Sequence, residues 1–278
     1  MKSLTVPAPA KVNLFLHVTG RRADGYHTLE SLIALIDLAD TVHLARRDDG
    51  AIRREGEVAG VPEDADLSLR AARALQAASG SRYGVDLALD KRIPLGSGLG
   101  GGSTDAASVL LALNRLWELA LPRAELLRLA VGLGADVPLF VGGENTVVRG
   151  IGEVLAPVSL PRYFLALAFP QAAVPTADIF KAPELTRATP SAKIDVFSEG
   201  YGRNDLVPVT ASRFPAVAAT LDALSRASPQ ARMTGSGACV FAAFPTEREA
   251  HAALQFLPQN VGGCVARTLA RHPLAAFA

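Results

Sequence analysis

Cysteine and tryptophan are scarce in this 278-residue chain, at 2 and 1 respectively, and neither sign of charge is in excess. Cys239 and Cys264 form no Cys-x-x-Cys pair and sit in no cysteine/histidine cluster, which argues against a structural zinc site or a disulfide framework and for a reducing compartment. With 28 Lys+Arg against 27 Asp+Glu, the formal net charge is +1 and the two signs are interspersed. That leaves no basic stripe or tail for nucleic acid, so no nucleic-acid partner is expected. The longest apolar runs, such as Val109–Leu113 and Tyr163–Phe169, fall far short of the ~20 residues a membrane span needs. Met1-Lys2-Ser3-Leu4 leads into Pro7-Ala8-Pro9-Ala10-Lys11 with no apolar signal core. A soluble cytoplasmic protein with no membrane partner is the expectation. Internal repeats and low-complexity tracts are also missing.

Apolar residues make up 49% of the sequence, enough for a substantial core without covalent staples. The pattern predicts a strand over Val12–Gly20, apolar runs over Leu29–Leu44, a helix over Asp66–Ala78 and a strand over Val85–Ile93. A helix then reaches to about Leu119, with Ser103 or Thr104 as its cap and one stripe formed by Ala106, Val109, Leu110, Leu113, Leu116 and Trp117. Pro122 opens another helix through Val131, and Asp136-Val137-Pro138 reads as the start of an extended segment. The two prolines in Ala156–Arg162 mark a boundary, giving domains 1–158 and 159–278. Beyond it come a strand over Tyr163–Phe169, a helix over Pro215–Ala227, two strands around Gly235–Gly237, a helix over Glu247–Leu257 and a strand over Cys264–Leu269. That order fits a split β-α-β, ferredoxin-like domain, and the whole reads as α+β.

The most informative segment is Gly96-Ser97-Gly98-Leu99-Gly100-Gly101-Gly102-Ser103-Thr104-Asp105, between a strand and a helix. Glycines remove Cβ atoms where a phosphate must approach the main chain, and exposed N–H groups at a helix start form an anion site. Ser97, Ser103 and Thr104 offer hydroxyls as further donors or as a magnesium ligand. No Gly-Lys-Ser/Thr follows, so this is not a Walker loop. The embedded Gly-x-Gly-x-x-Gly alone would suggest a dinucleotide fold, but it comes far into the chain and not after the first strand. A flexible linker is the duller alternative.

Pro94-Leu95-Gly96-Ser97-Gly98-Leu99-Gly100 with Ser103-Thr104 resembles the second motif of the galactokinase, homoserine kinase, mevalonate kinase and phosphomevalonate kinase (GHMP kinase) superfamily. Pro9-Ala10-Lys11-Val12-Asn13-Leu14 resembles its first motif, and Thr234-Gly235-Ser236-Gly237-Ala238-Cys239-Val240-Phe241 its third. Within the superfamily, Arg22-Ala23-Asp24-Gly25-Tyr26-His27, the triple glycine Gly100–Gly102 and Leu133-Gly134-Ala135-Asp136-Val137-Pro138 resemble the 4-diphosphocytidyl-2-C-methyl-D-erythritol kinase family. The resemblance implies a two-domain GHMP kinase fold, with a ribosomal protein S5 domain 2-like N-terminal half and a ferredoxin-like C-terminal half. It also implies ATP and Mg2+ as cofactors and a cytidyl-diphosphate sugar alcohol, phosphorylated on its 2-hydroxyl, as the small-molecule partner.

Several side chains acquire roles only through that resemblance. Asp136, otherwise a turn or cap residue, becomes the general base. Lys11, otherwise a solvated strand-end lysine, becomes its partner, and Asn13 on the same strand face a substrate-binding residue. Pro94 through Thr104 would bind ATP. Tyr26 would stack on cytosine, His27 would read its polar edge, and Phe180 would close the other face; without the resemblance Tyr26 reads as a loop residue half covering the core and Phe180 as a core residue. Thr234–Gly237 is otherwise a hairpin turn, and Asn204-Asp205 a helix cap. Thr104-Asp105 departs from the paired serines or Ser-Asp of relatives, and no acidic residue matches a magnesium ligand, so the metal shell stays unassigned. His17, His43, His251 and His272 have no partners at metal-ligand spacing. Cys239 and Cys264 read as inert packing. Three alternatives stay open: another kinase of the superfamily such as a homoserine or mevalonate kinase, a non-catalytic nucleotide sensor on the same fold, and, more remotely, a nicotinamide-dependent oxidoreductase.

Overall fold

The computed structural model describes residues 2–191 and 202–278. In chain order, the first half runs β1 (Ser3–Arg21), β2 (His27–Arg47), β3 (Ile52–Arg54), α1 (Leu67–Ser79), β4 (Gly84–Asp90), α2 (Gly101–Leu116), α3 (Arg123–Val131), α4 (Val137–Gly142), β5 (Thr146–Gly150) and β6 (Val154–Pro157). The second half runs β7 (Phe164–Phe169), α5 (Thr176–Lys181), α6 (Val207–Arg213), α7 (Pro215–Ser225), β8 (Arg232–Met233), β9 (Val240–Phe244), α8 (Glu247–Ala253) and β10 (Gly262–Arg267). None of the described helices is long and apolar enough to cross a membrane.

Two sheets organise these elements. The first has the order β3-β4-β2-β5-β6, with β1 antiparallel to the long central strand β2. Helices α1 and α2 cover one face, and their small and aliphatic residues form one core with Val6, Leu35 and Leu44. The second sheet has the order β10-β7-β9-β8, the 4-1-3-2 arrangement expected of a split β-α-β domain. Its helix-covered face builds a core around Ala166, Ala168, Val240 and Leu224, and its other face a third cluster with Phe15, Leu32, Leu165 and Phe241. β1 contributes to all three: Val6 and Ala8, then Val12 and Phe15, then Leu16 and Val18.

Three local expectations are corrected. The first strand begins at Ser3, not Val12. Pro7 and Pro9 do not break it because, among the described strands, β1 forms a ladder only with β2, and the missing N–H groups fall on its other edge, which carries no ladder at these positions. α2 starts at Gly101 and is capped by Gly100 in a left-handed conformation (φ 78°), with no side-chain cap from Ser103 or Thr104. Val137-Pro138 does not open an extended segment but begins α4, where a proline in the first turn loses no helical hydrogen bond.

Candidate active site

β1 carries register shifts between Pro9 and Lys11 and between Asn13 and Phe15, so irregularities bracket the Lys11–Asn13 stretch. Such shifts re-aim side chains. Lys11 and Asn13 lie on one face, joined by a Lys11 Nζ to Asn13 Oδ1 hydrogen bond of 2.7 Å. The Lys11 ammonium is buried and lies 3.6 Å from Asp136 Oδ2. Asp136 stands at the N-terminus of α4 without making a capping hydrogen bond, and its side chain is 42% exposed, so the carboxylate faces open space.

Asn13 is held from several directions. Its Nδ2 donates to Ser31 Oγ (2.8 Å), whose hydroxyl donates to Phe15 O (2.6 Å). Its Oδ1 also accepts from Gly235 N (3.1 Å) and the Thr234 hydroxyl (3.2 Å), while its backbone N–H donates to Thr234 Oγ1 (2.9 Å). A side chain held through both its amide oxygen and its amide nitrogen has one orientation. The Thr234–Gly237 turn between β8 and β9 is therefore more than a hairpin connection: it docks on β1 and on the glycine loop. Ala238 N donates to Gly96 O (3.4 Å) and Cys239 N to Ser97 O (3.1 Å). Asn204 secures the turn by donating to Met233 O and Gly235 O, and Thr176 at the start of α5 shares a 2.7 Å hydroxyl pair with Ser236. Asp205 instead accepts from Val18 N and the Thr189 hydroxyl.

Within the glycine loop, Gly96, Gly98 and Gly100 have φ of 64°, 77° and 78°, and the residues between them stay at negative φ. Alternation of this kind turns successive N–H groups toward one side, making a concave anion nest at the head of α2. At Gly98 there is no room for more: an added Cβ would lie 2.4 Å from Thr234 O and 3.0 Å from Gly237 O. Beneath the loop, the Lys91 ammonium bridges Asp40 and Asp105, and Asp40 also accepts from Arg92 N and Ile93 N. Burial pushes the Asp105 carboxyl up, Lys91 opposes it and Asp40 adds to it, for a result of about 7. Burial alone would lower Lys91, but the two carboxylates raise it above its ordinary value.

These elements enclose a cavity of about 830 Å³ lined by Lys11, Asn13, Tyr26, His27, Asp136 and Phe180 together with the loop residues Pro94–Gly98 and Gly100–Ser103. Leu99 and Thr104 do not line it: both are fully buried, and Leu99 contributes only its carbonyl, which accepts from Lys11 N (3.0 Å). Tyr26 is 63% exposed at the rim. His27 faces Phe180 with ring centroids 5.4 Å apart at 35°, and burial together with Arg187 and Arg21 holds its pKa below the ordinary value. Ser31, Lys91, Asp40 and Arg187 were not singled out from the sequence, because each acts through a partner remote along the chain. Cys239 is fully buried, which pushes its thiol up. Among the described residues no three His, Cys, Asp or Glu side chains gather as a metal site.

A family model described as the GHMP kinases N terminal domain matches residues 66–144, and one described as GHMP kinases C terminal matches residues 193–263. The fold, the glycine loop and these matches define the class: the chain belongs to the GHMP kinases. A 4-diphosphocytidyl-2-C-methyl-D-erythritol kinase of Thiobacillus denitrificans is 58% identical over 99% of this chain and 99% of its own length. One of Cupriavidus necator is 55% identical, covering 98% and 95%. Within the class, the chain is a member of the 4-diphosphocytidyl-2-C-methyl-D-erythritol kinase family. A crystal structure of a 4-(cytidine 5'-diphospho)-2C-methyl-D-erythritol kinase superposes with a TM-score of 0.85 at 33% identity, over 95% of this chain and 99% of that one. A homoserine kinase from Cytophaga hutchinsonii shares the fold at a TM-score of 0.70 and 20% identity, covering 98% and 96%.

Proposed function

We propose that the chain transfers the γ-phosphoryl group of ATP to the 2-hydroxyl of 4-diphosphocytidyl-2-C-methyl-D-erythritol, a step of non-mevalonate isoprenoid precursor synthesis. The observation that carries the reading is one cleft holding an anion nest, a lysine–aspartate pair and an aromatic-rimmed recess. A sensor would need the first alone. The family membership supports the cytidyl substrate, whose base gives Tyr26 and Phe180 something to stack on; a homoserine or mevalonate kinase would leave both idle.

Phosphoryl transfer is mostly positioning and charge stabilisation, with a group to receive the hydroxyl proton. Asp136, open to the cleft, accepts that proton from the acceptor hydroxyl. Lys11, held by Asn13, keeps the carboxylate in place and offers its charge to the reacting oxygens. The nest from Gly96 to Gly100 and the first turn of α2 receive the ATP phosphates, with Leu99 and Thr104 supporting from within. Magnesium fits as an ion carried chiefly by substrate phosphates, since Asp40 and Asp105 are engaged by Lys91. Ser103, on the cleft wall, is the side chain that would complete its shell. When bound, it neutralises charge on the phosphoryl oxygens.

We divide the chain functionally at 1–158 and 159–278, since β6 closes one sheet and β7 opens the next. Two free thiols support a reducing, cytoplasmic setting. The test is ADP release with the cytidyl substrate, ATP and magnesium, run beside mevalonate and homoserine. Turnover with the cytidyl compound alone is expected. Turnover with another alcohol instead would discard the roles of Tyr26 and Phe180, and silence with all three despite ATP binding would favour the sensor.

A further inference from the structure

Arg187 lies in the irregular segment that follows α5, within hydrogen-bond reach of His27 at the start of β2. Its guanidinium is fully used. Nη2 donates to Phe180 O (3.2 Å) and Ala182 O (2.5 Å), and Nη1 to Pro183 O (3.3 Å) and Leu185 O (3.0 Å). Those carbonyls belong to the end of α5 and the residues just past it, where a cation and a rigid fork of donors are both favoured. The fifth donor, Nε, points to His27 Nε2 at 3.0 Å.

That last contact decides the chemistry of the imidazole. An arginine Nε–H can only donate, so His27 Nε2 must turn its lone pair toward it. The single proton of the neutral ring then resides on Nδ1, and the ring has only a donor left to offer the cleft it lines. A protonated ring would set N–H against N–H. Burial and the charges of Arg187 and Arg21, which hold the His27 pKa below its ordinary value, work against that form. Cytosine presents acceptors at N3 and O2, whereas uracil carries a hydrogen at N3. A ring locked as a donor therefore suits the first base and opposes the N3 edge of the second.

We propose that Arg187 is a positioning residue that fixes His27 as the Nδ1–H tautomer and ties it to the Phe180-bearing turn, and so sets the preference for cytosine over uracil. It touches no reacting atom, and the proposal rests on the cytidyl reading above. One side chain thereby binds both the edge-reading ring and the turn that carries the stacking ring, whose centroids lie 5.4 Å apart.

The test uses the full-length enzyme labelled with 15N at histidine, as wild type, R187A and R187K. Long-range proton–nitrogen correlation on the wild type, free of substrate, is expected to show the His27 proton on Nδ1; a proton on Nε2 would overturn the proposal. In R187A the Nε2–H form is expected to appear. KM for the cytidyl substrate should rise by roughly tenfold, the scale of one lost hydrogen bond, with kcat and the KM for ATP little changed. The ratio of kcat/KM for cytidyl over uridyl substrate should fall in R187A and largely recover in R187K, whose ammonium can still donate to Nε2. If R187A raises KM for both substrates equally, Arg187 only supports the fold and the proposal fails. The tautomer is read without substrate, so it separates the two ideas: a wild-type enzyme with the Nδ1 proton but no turnover of the cytidyl compound would refute the substrate and its base preference, not the Arg187–His27 lock.

Discussion

Lys11 Nζ sits 3.6 Å from Asp136 Oδ2, joining a lysine buried in the middle of the longest edge strand to a carboxylate at the mouth of a short helix. Neither residue is near the other in sequence, and each has the opposite exposure. The lysine is fixed and the aspartate is available.

Replacing Asp136 by Asn keeps the shape of the cleft and removes the base. We expect kcat to fall by roughly 10²–10⁴-fold, with the KM for ATP little altered. Lys11→Met should also lower kcat, while Asn13 stays in place through Gly235 N and Thr234. Single-turnover measurement of ADP formation decides the matter, and near wild-type turnover of D136N would remove Asp136 from proton transfer.

Gly96 and Gly98 share a left-handed backbone but not a neighbourhood. An added Cβ at Gly96 meets nothing within 4 Å, whereas at Gly98 it meets Thr234 O at 2.4 Å. G96A should therefore cost only the conformational strain, about 1–2 kcal/mol. G98A should cost more and, by prying the Thr234–Gly237 turn from the loop, also raise the KM for ATP. Urea melts of the two variants check the order, and equal losses would contradict it.

Asp105 is held up at about 7 by burial and by Asp40, against an ordinary value of 3.8. The folded chain keeps a proton there that the unfolded chain releases, so this group favours folding below about pH 4 and loses that contribution as pH rises through 7. D105N removes the like charge and still accepts from Lys91. It should be more stable than wild type at pH 8, by on the order of a few kcal/mol, and gain little at pH 4. The same difference at both pH values would count against a titrating Asp105.

His272 runs the other way. Buried beside Arg123, it is lowered from 6.5 to about 4, while its Nδ1 accepts from Leu274 N. The neutral ring's contribution is complete above pH 6.5 and is lost as pH falls toward 4, on the order of 3 kcal/mol in all. H272N, whose amide oxygen can take the Leu274 N–H, should flatten the stability–pH slope over that interval. A slope unchanged in chemical denaturation would assign it to other groups.

The glycine loop, Lys11, Asn13 and Asp136 were legible in the sequence because each sits in a short contiguous motif, and strand alternation alone put Lys11 and Asn13 on one face. The C-terminal sheet was legible from the order of its elements. Pro7 and Pro9 hid the part of β1 before Val12, nearly half of the strand, since an edge position cannot be seen before the pairing is known. Pro138 hid α4, because proline in a first turn and proline before a strand look alike. Arg187 and His27 are 160 positions apart, and Lys91 meets Asp40 across 51, so nothing local announces either contact.

β1 enters all three cores, and the chain's end comes back to the first of them, where Leu274 is buried and Phe277 packs. A single uninterrupted ribbon thus runs through both halves of the molecule, with Lys11 and Asn13 near its middle. Opening between the halves cannot proceed by swinging on a loose linker; any parting of them bends this ribbon or shears its ladder with β2. The halves are consequently coupled mechanically, and neither sheet has a complete set of packing partners when cut from the other.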